Sequence, residues 1–340
     1  MIRVGIIGCG QMGALHARTL KSFPEVELVA VCNHTRPKAE QLAAELGATA
    51  WTDHQAMLEK ARLDAVWIAT PDFAHVDVTL AALAAGAHVF VEKALATTIE
   101  DGATIVRAAA AHPRQKAMIG YPLPWDPVYR EMKRVLAEPD AGRAMLAWSI
   151  RTHFLSETQT VYDKYRDEHY RPPAWYFDAE RGKGPIFSHA SHDYQLLEWL
   201  CGPIRSVYVR GGTFLLQSGD VADGFVVTAQ FADGAVATIS TPWVTRVEYD
   251  FVGVAAQNVT VANTNGELRV GRAGEPEQSI RYRENTMWTA MNGHFLRCIA
   301  EDRTPEFSLQ DGLRAITIAQ AAYESLQSGR ETLVAEGAGA

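Results

Sequence analysis

The chain has 340 residues, 47% of them hydrophobic, which is enough for one large or two ordinary domains, each with its own core. Its 32 basic and 40 acidic residues give a net charge of -8, and no basic stretch is interleaved with aromatic residues. Nucleic-acid binding therefore has little support, because neutralising phosphates needs a basic face.

Membrane insertion and export have little support either. No apolar run reaches the roughly 20 residues that span a bilayer. The opening letters MIRVGIIGCG begin a strand pattern at once and leave no room for a signal peptide. The four cysteines are scattered without CxxC spacing, which favours reduced structural thiols. We therefore expect a cytoplasmic protein.

The first third of the chain alternates buried strands with helices. Strand patterns are RVGIIG, VELVAVC, LDAVWIAT, AHVFVEK and KAMIGY. Helical patterns are MGALHARTLKSF, RPKAEQLAAEL and the segments that begin at Ala74, Thr98 and Asp126. Strands that are apolar throughout and alternate with helices predict a parallel sheet covered on both faces.

The pattern changes near residue 140 to strands bounded by Gly, Asn and Asp turns. TNGE and ADGA are hairpin signals, so we expect a mainly antiparallel sheet with one face on helices. The chain then returns to helix, with Ser308 as an expected N-cap and Gly329 as an expected C-terminal cap. Residues 335–340, rich in Gly and Ala, are expected to form a flexible tail.

A glycine motif follows the first strand. Gly8, Gly10 and Gly13 have G-x-G-x-x-G spacing, between a strand and a helix in the first unit of an alternating domain. These glycines allow a tight turn and bring the backbone close to a pyrophosphate at the helix N-terminus. We therefore expect residues 8–13, including Gln11 and Met12, to bind a dinucleotide. The alternative is a tight turn without a ligand.

The end of the second strand bears on which dinucleotide binds. An NAD site usually has Asp or Glu here for the ribose hydroxyls, but this chain has Asn33, which does not repel a 2'-phosphate. Thr35 could donate a hydrogen bond, and Arg36 and Lys38 could supply positive charge. We expect NAD or NADP and favour NADP slightly. The alternative is that the two cations only solvate the start of a helix.

The combination of GIIGCGQMGALHA, IATPDFAH and GAHVFVEKALA resembles the Gfo/Idh/MocA family of oxidoreductases, and the closing helical pattern is similar too. The resemblance covers nearly the whole chain. It implies an α/β N-terminal Rossmann domain and an α+β C-terminal domain with an open, mainly antiparallel sheet. We place the first domain at residues 1–122 and the second at 123–334, with closing helices that can pack back on the first domain.

The family resemblance assigns a lysine at the end of the fifth strand pattern. The family pattern E-K-P reads Glu92-Lys93-Ala94 here. The resemblance implies that Lys93 lies beside the nicotinamide and the reacting hydroxyl, where its charge helps the proton leave. The family proline is often associated with a cis bond, which alanine rarely adopts.

A second family pattern lies in GKGPIFSHASHDYQLLEW, where His192 matches the family histidine, the usual acid/base partner. Both carboxylates of the family pattern are replaced, by Ser188 and Gln195. A metal site would need three or more converging ligands, and only His189 and His192 are close in sequence. A catalytic triad has little support, because no nucleophile-elbow motif accompanies Ser188. His192 as acid/base is therefore our interpretation, with a structural histidine as the alternative.

The resemblance extends to further binding residues. Near the cofactor it implies Thr70, Pro71, His75, Glu92 and Trp175. Near the substrate we expect Tyr121, Trp125, His153, Ser188 and Asp193, although Trp125 is equally well explained as a core aromatic. His153 lies on a strand whose alternation could turn it either way, and Asp193 need not replace a lost carboxylate.

The resemblance implies an NAD(P)-dependent dehydrogenase that acts on a secondary hydroxyl of a sugar, polyol or related cyclic alcohol, or on its ketone. Two alternatives stay open. One is a redox-neutral, glycosidase- or lyase-like enzyme with tightly bound NAD. The other is a non-catalytic NAD(P)-binding regulator, which the lost carboxylates would fit. The open sheet also leads us to expect a homo-oligomer, a dimer or a tetramer.

Overall fold

The computed structural model describes residues 1–163, 168–217, 221–282 and 286–336. The chain divides into two compact units, one formed by Met1–Pro122 and Met287–Arg314, the other by Leu123–Thr286 and residues 315–336. The division falls between Pro122 and Leu123. The assignment of a cofactor role to one domain and a substrate role to the other stays a prediction. Of the expected tail, residues 337–340 lie outside the described chain.

The N-terminal part alternates strands and helices as the sequence predicts. Its strands are β1 (Ile2–Ile7), β2 (Val26–Cys32), β3 (Thr49–Trp51), β4 (Ala65–Ile68), β5 (His88–Glu92) and β6 (Ala117–Gly120). Its helices are α1 (Gln11–Lys21), α2 (Arg36–Leu46), α3 (His54–Lys60), α4 (His75–Ala84) and α5 (Ile99–Ala111).

These strands form one parallel sheet in the order β3-β2-β1-β4-β5-β6. All four residues of β4 are buried, and so are most residues of β1 and β5. Strands buried on both faces can afford no polar alternation, which explains their continuous apolar sequences. The strand order is that of a dinucleotide-binding fold, whose ligands bind beyond the carboxyl ends of the strands.

The second part begins with α6 (Pro127–Leu136) and is mostly strand. The strands are β7 (Ala144–Phe154), β8 (Val161–Asp163), β9 (Glu168–Tyr170), β10 (Ile204–Gly212), β11 (Gly224–Phe231), β12 (Val236–Ser240), β13 (Val244–Ala256), β14 (Val259–Thr264), β15 (Glu267–Arg272), β16 (Gln278–Arg281) and β17 (Thr332–Leu333). The remaining helices are α7 (Gly184–Ser188), α8 (Ala190–Cys201), α9 (Met287–Ala300) and α10 (Leu309–Ser328).

Nine of these strands form the second sheet, in the order β16-β15-β14-β13-β7-β12-β11-β10-β17. Every neighbouring pair is antiparallel except β12 and β7, which are parallel. Asn265 and Gly266 turn the TNGE hairpin with φ of 49° and 84°, as the sequence predicts. Helices α6 and α8 pack on this sheet. The predicted fold class, α/β followed by α+β with a mainly antiparallel sheet, is confirmed.

The structure contains short elements that the sequence did not predict, and it shows the surroundings of both expected caps of α10. Strand β3 and helix α3 were not predicted, since each is too short for a clear periodicity. Ser308 directly precedes α10 as expected, and its hydroxyl donates to the carboxylate of Asp311 at 2.8 Å. Gly329, with φ of 67°, ends α10 as predicted.

Within the described residues, no helix combines the length and apolar character needed to cross a membrane, and no three His, Cys, Asp or Glu side chains converge as metal ligands would. The four cysteines are free thiols. Burial raises the pKa of Cys9 to about 12 and that of Cys32 to about 11, so both are protonated at neutral pH.

Candidate functional site

The glycine loop between β1 and α1 has the shape that a dinucleotide requires. Gly8 has φ of 101°, and a Cβ there would lie 2.3 Å from the carbonyl oxygen of Ala69. A Cβ on Gly13 would lie 1.7 Å from the carbonyl oxygen of Gly8, so the backbone of α1 approaches the end of β1 too closely for any side chain at residue 13. A Cβ on Gly10 would meet no described atom within 4 Å. Gly10 caps α1 without a side-chain bond, which leaves this end of the helix suited to an anion.

Asn33 supports the glycine loop from the end of β2. Its Oδ1 accepts a hydrogen bond from the N–H of Cys9 at 3.1 Å, and its Nδ2 donates to the carbonyl of Thr35 at 3.3 Å. Arg36, exposed at the start of α2, lies 3.6 Å from the carboxylate of Glu40. The side-chain amide of Asn33 is thus hydrogen-bonded within the protein, and the charge of Arg36 is partly balanced by Glu40. Both facts weaken the argument for a dedicated 2'-phosphate site.

Lys93 follows β5 directly at the carboxyl edge of the parallel sheet and is half-buried. The peptide bond between Lys93 and Ala94 is cis. The sequence argument that alanine rarely adopts this bond therefore does not hold here, and the backbone form associated with the family proline is present without the proline.

His75, expected near the cofactor, is used inside the protein. It is fully buried, with Nδ1 2.9 Å from the carbonyl oxygen of Ala94 and Nε2 3.0 Å from that of Thr70. Both ring nitrogens therefore face backbone carbonyls, and the imidazole ties the start of α4 to the segment after Lys93. Neither ring nitrogen is therefore left to contact a ligand directly.

Thr70 and Asp72, which flank Pro71 in this loop, have unusual environments. The Oγ1 of Thr70 is shielded from solvent and has no hydrogen-bond partner among the described residues, so a ligand could satisfy it. Burial raises the pKa of Asp72 to about 6, against the lowering effects of His75 and Lys93. The orphan hydroxyl, the glycine loop and the lysine are what a nicotinamide dinucleotide would need, so the residues of this unit fit that cofactor.

The glycines before α7 allow a close approach to the Trp175 turn in the second unit. A Cβ on Gly182 would lie 2.2 Å from the carbonyl oxygen of Trp175, which is half-buried. The rings of Trp175 and Tyr176 meet edge to face at 4.4 Å. Gly184 has φ of 67°, a left-handed backbone conformation that favours glycine.

His192 lies in the first turn of α8 and is 9% exposed. Its backbone N–H donates to the carbonyl of His189 at 3.1 Å. The side chain of His189 is fixed by Trp243, whose Nε1 can only donate and lies 2.6 Å from the Nδ1 of His189. That contact makes the Nδ1 of His189 an acceptor and supports the local structural role expected for this residue. His153 stacks beside it, with ring centres 5.2 Å apart.

Asp193, expected near the substrate, is instead part of a buried network. It is fully buried, and its carboxylate accepts hydrogen bonds from Ser149 at 2.5 Å and Thr241 at 2.8 Å. Arg151 lies 3.4 Å from the same carboxylate and 3.7 Å from that of Asp250. Burial raises the pKa of Asp193, and Arg151 opposes that rise. These partners connect α8 to β7, and both carboxylate oxygens of Asp193 already accept hydrogen bonds within the protein.

The other residues expected near the substrate have mixed environments. The hydroxyl of Ser188 donates to the carbonyl of Gly184 at 2.9 Å, and Tyr121 is fully buried in the first unit. The guanidinium of Arg130 lies 4.3 Å from the centre of the Trp125 ring, which favours a core role for that ring. The Oε1 of Gln195 is buried without a partner among the described residues.

Comparison with known proteins gives a consistent result. Residues 2–121 match the model of an "Oxidoreductase family, NAD-binding Rossmann fold", and residues 129–269 match a "GFO/IDH/MocA C-terminal domain". The chain is 27% identical to scyllo-inositol 2-dehydrogenase (NAD(+)) of Bacillus subtilis, with 96% of this chain and 95% of that protein covered. It is 34% identical to inositol 2-dehydrogenase 2 of Saccharopolyspora erythraea over 59% and 54% of the two chains.

The fold is shared with a solved levoglucosan dehydrogenase in complex with NADH. The TM-score is 0.88 over 98% of this chain and 99% of that one, at 20% identity. At that identity the likeness establishes the fold alone. The two family models together cover most of the chain from its first strand to β15.

Proposed function

The chain belongs to the Gfo/Idh/MocA family of oxidoreductases, and on this premise we propose that it oxidises a secondary hydroxyl of a sugar, polyol or related cyclic alcohol, or reduces the ketone, with a nicotinamide cofactor. The observation that carries the proposal is Lys93, half-buried at the carboxyl end of β5, in a sheet whose glycine loop fits a dinucleotide. His192, at the start of α8, is the proposed proton acceptor.

Each of these residues has one task in the proposed reaction. The backbone of residues 8–13 binds the pyrophosphate, with Gln11 and Met12 opening α1. Lys93 orients the substrate hydroxyl and favours loss of its proton, which His192 accepts. The cofactor, when bound, supplies the hydride acceptor at its nicotinamide ring. Thr70 and Trp175 are proposed cofactor contacts.

We expect a neutral, hydroxyl-rich substrate. The two family carboxylates are absent, and the described environment of the substrate-side unit offers neutral groups, among them the amide oxygen of Gln195. Hydroxyls both donate and accept, so they can satisfy such groups, whereas an anionic or cationic substrate would need a buried counter-charge. The relatives named for inositol make a cyclic polyol the first substrate to test. His153 and Ser188 stay proposed substrate-side residues.

The cofactor is NAD or NADP. The Bacillus subtilis relative is named for NAD(+), and the solved levoglucosan dehydrogenase contains NADH, so the preference for NADP that the sequence favours has no support from these two proteins. Asn33 still presents no negative charge to a 2'-phosphate. We propose that NAD is used and that NADP is tolerated. A cytoplasmic location stays a prediction.

We also propose that the chain forms a homo-oligomer through the nine-stranded sheet. Leu146, Val226 and Val236 are between 40% and 47% exposed, and the residues on either side of Val226 and Val236 are buried. Val236 pairs with Leu146 across the sheet, so the exposed side chains lie on one face. An apolar sheet face of this kind is typical of protein interfaces, and a second copy of the chain is the partner proposed.

The experiment is a screen for reduced nicotinamide absorbance. The purified protein is incubated with NAD+ or NADP+ and with inositols, sugars and anhydrosugars. Reduction with at least one polyol is expected, more readily with NAD+ than with NADP+. Tight nucleotide binding with no reduction by any compound would instead favour a redox-neutral enzyme or a regulator.

A further inference from the structure

His16 connects the dinucleotide helix to the strand that carries the lysine. It lies on the buried face of α1 and is itself fully buried. Its Nε2 lies 2.7 Å from the Oε1 of Glu92, and its Nδ1 lies 3.0 Å from the Oδ1 of Asn292 in α9. All three residues belong to the first unit, and both contacts of His16 join polar atoms, so they are directional hydrogen bonds as well as packing contacts.

The direction of these hydrogen bonds follows from the surroundings of Asn292. Its Oδ1 accepts from the indole N–H of Trp67 at 2.7 Å, and its Nδ2 donates to the carbonyl of Trp288 at 2.7 Å. The amide orientation is therefore fixed, and the Nδ1 of His16 must donate to it. One proton also lies between the Nε2 of His16 and Glu92, whichever of the two carries it.

Glu92 connects His16 to the backbone of Lys93. Glu92 is 4% exposed, and its Oε2 accepts a hydrogen bond from the backbone N–H of Lys93 at 3.2 Å, while its Oε1 lies 2.7 Å from the Nε2 of His16. The carboxylate thus joins His16 to the peptide at which the lysine begins. On the other side, His75 holds the carbonyl of Ala94.

We propose that His16 is a positioning residue for Lys93. It acts through Glu92, so that the helix that receives the pyrophosphate also fixes the backbone of the lysine. The proposal rests on the proposed function only for the catalytic role of Lys93. The essential contact is the one from Nε2 to Glu92, and the contact from Nδ1 to Asn292 serves to orient the ring.

Two substitutions separate these contacts. In His16→Gln the amide nitrogen extends about as far as Nε2 and can still donate to Glu92. In His16→Asn it extends about as far as Nδ1 and can donate only to Asn292. Asn is one methylene smaller than Gln, so His16→Met, which is close to Gln in size but cannot donate to Glu92, is the control for packing. A role in packing alone predicts that His16→Met resembles His16→Gln, whereas the proposal predicts that it resembles His16→Asn. If His16→Asn does not fold, Glu92→Asp breaks the same contact from the other partner, because it shortens the side chain by one methylene.

The variants are compared by steady-state kinetics with a polyol that the wild type oxidises and by hydrogen exchange of the peptide that contains residues 92–96. His16→Asn is expected to lower kcat by about 10- to 100-fold, the size of loss that a misplaced group causes, with little change in KM. Exchange in that peptide is expected to be faster than in wild type. His16→Gln is expected to stay close to wild type in both measurements.

Equal effects of His16→Asn and His16→Gln on kcat and on exchange would overturn the proposal. If the wild type oxidises no inositol, sugar or anhydrosugar, the proposed function fails, and exchange alone then decides the positioning role. Faster exchange in His16→Asn than in His16→Gln supports it without any turnover. Equal exchange contradicts it.

Discussion

Lys93 is the side chain on which the proposed reaction depends most. It is half-buried and follows the strand end at which this fold binds its ligands. We expect Lys93→Ala to lower kcat by about 100-fold or more, since proton-transfer groups contribute about 10² to 10⁴. Nucleotide binding, followed by fluorescence titration, should change little because the glycine loop is intact. Lys21→Ala, at the end of α1, is the matched control and should leave both quantities unchanged.

Asp72 gives a prediction about pH. Burial raises its pKa from 3.8 to about 6, so the folded chain keeps a proton that the unfolded chain releases between about pH 4 and 6. Stability is therefore lost as the pH rises through that window, by about 3 kcal/mol for a single isolated group. Asp72→Asn should be more stable than wild type at pH 8 and no more stable at pH 4.

Urea unfolding of both proteins across this pH range is the measurement. Asparagine keeps an oxygen acceptor, so the comparison isolates the charge. Stability curves of the two proteins that run parallel between pH 4 and pH 8 would show that Asp72 does not titrate as described.

At this scale the sequence predicted which residue types matter better than what they contact. Lys93 and the glycines could be identified by motif. The roles of His75 and Asp193 could not, because their partners are carbonyls and side chains distant in sequence. His16 was missed for the same reason. The only signal in the sequence was a histidine on the apolar face of the first helix, and polar groups at such positions need a partner.

At the scale of elements, two glycines of the β1–α1 turn are expected to differ in role, one needed for folding and the other for dinucleotide binding. A Cβ on Gly13 would collide with the backbone of Gly8, whereas a Cβ on Gly10 would meet no described atom within 4 Å. Gly10→Ala should therefore keep the thermal midpoint within a few degrees and weaken dinucleotide binding by about 10-fold or more, since it fills the space that the pyrophosphate needs. Gly13→Ala should lower the midpoint strongly.

Calorimetry and nucleotide titration test both variants together. Unchanged nucleotide affinity in a well-folded Gly10→Ala protein would mean that the ligand does not approach this loop. The glycines would then serve the turn alone.

Periodicity predicted the long elements well. Strand β7 has eleven residues, and buried side chains alternate with half-buried ones from Ala147 to Phe154, which is a strong signal in a sequence. Strand β3 has three residues and helix α3 has seven, too few for a period to appear. Asp53, whose carboxylate accepts from the N–H of Ala56 at 2.8 Å, was the available signal for α3.

At the scale of the whole molecule, the exposed face of the nine-stranded sheet bears on assembly. We expect the wild type to be a dimer or tetramer in light scattering coupled to size exclusion. Leu146→Arg should shift it toward monomer, because a buried unpaired cation opposes association. Phe73→Ser is the control, since Phe73 is similarly exposed at 42% but lies in the first unit. A monomeric wild type, or equal behaviour of the two variants, would contradict this assembly.

The sequence could predict both fold classes because each leaves a distinct pattern, continuous apolar strands in one unit and alternating strands in the other. It could not predict which polar side chains of the second unit contact one another. Those contacts depend on how residues from β7, β13 and α8 converge, as the network of Asp193, Arg151 and Asp250 illustrates. Charge and burial in that network are visible only once the strands are in register.

The central claim is hydride transfer from a polyol carbon to nicotinamide, and isotope transfer tests it most directly. The protein is incubated with NAD+ and an inositol carrying deuterium on every carbon, and the mass of the nicotinamide product is read. The wild type is expected to form reduced cofactor that is one deuterium heavier, and Lys93→Ala is expected not to form it. Absence of labelled reduced cofactor across the polyols tested, with the dinucleotide bound, would contradict the claim.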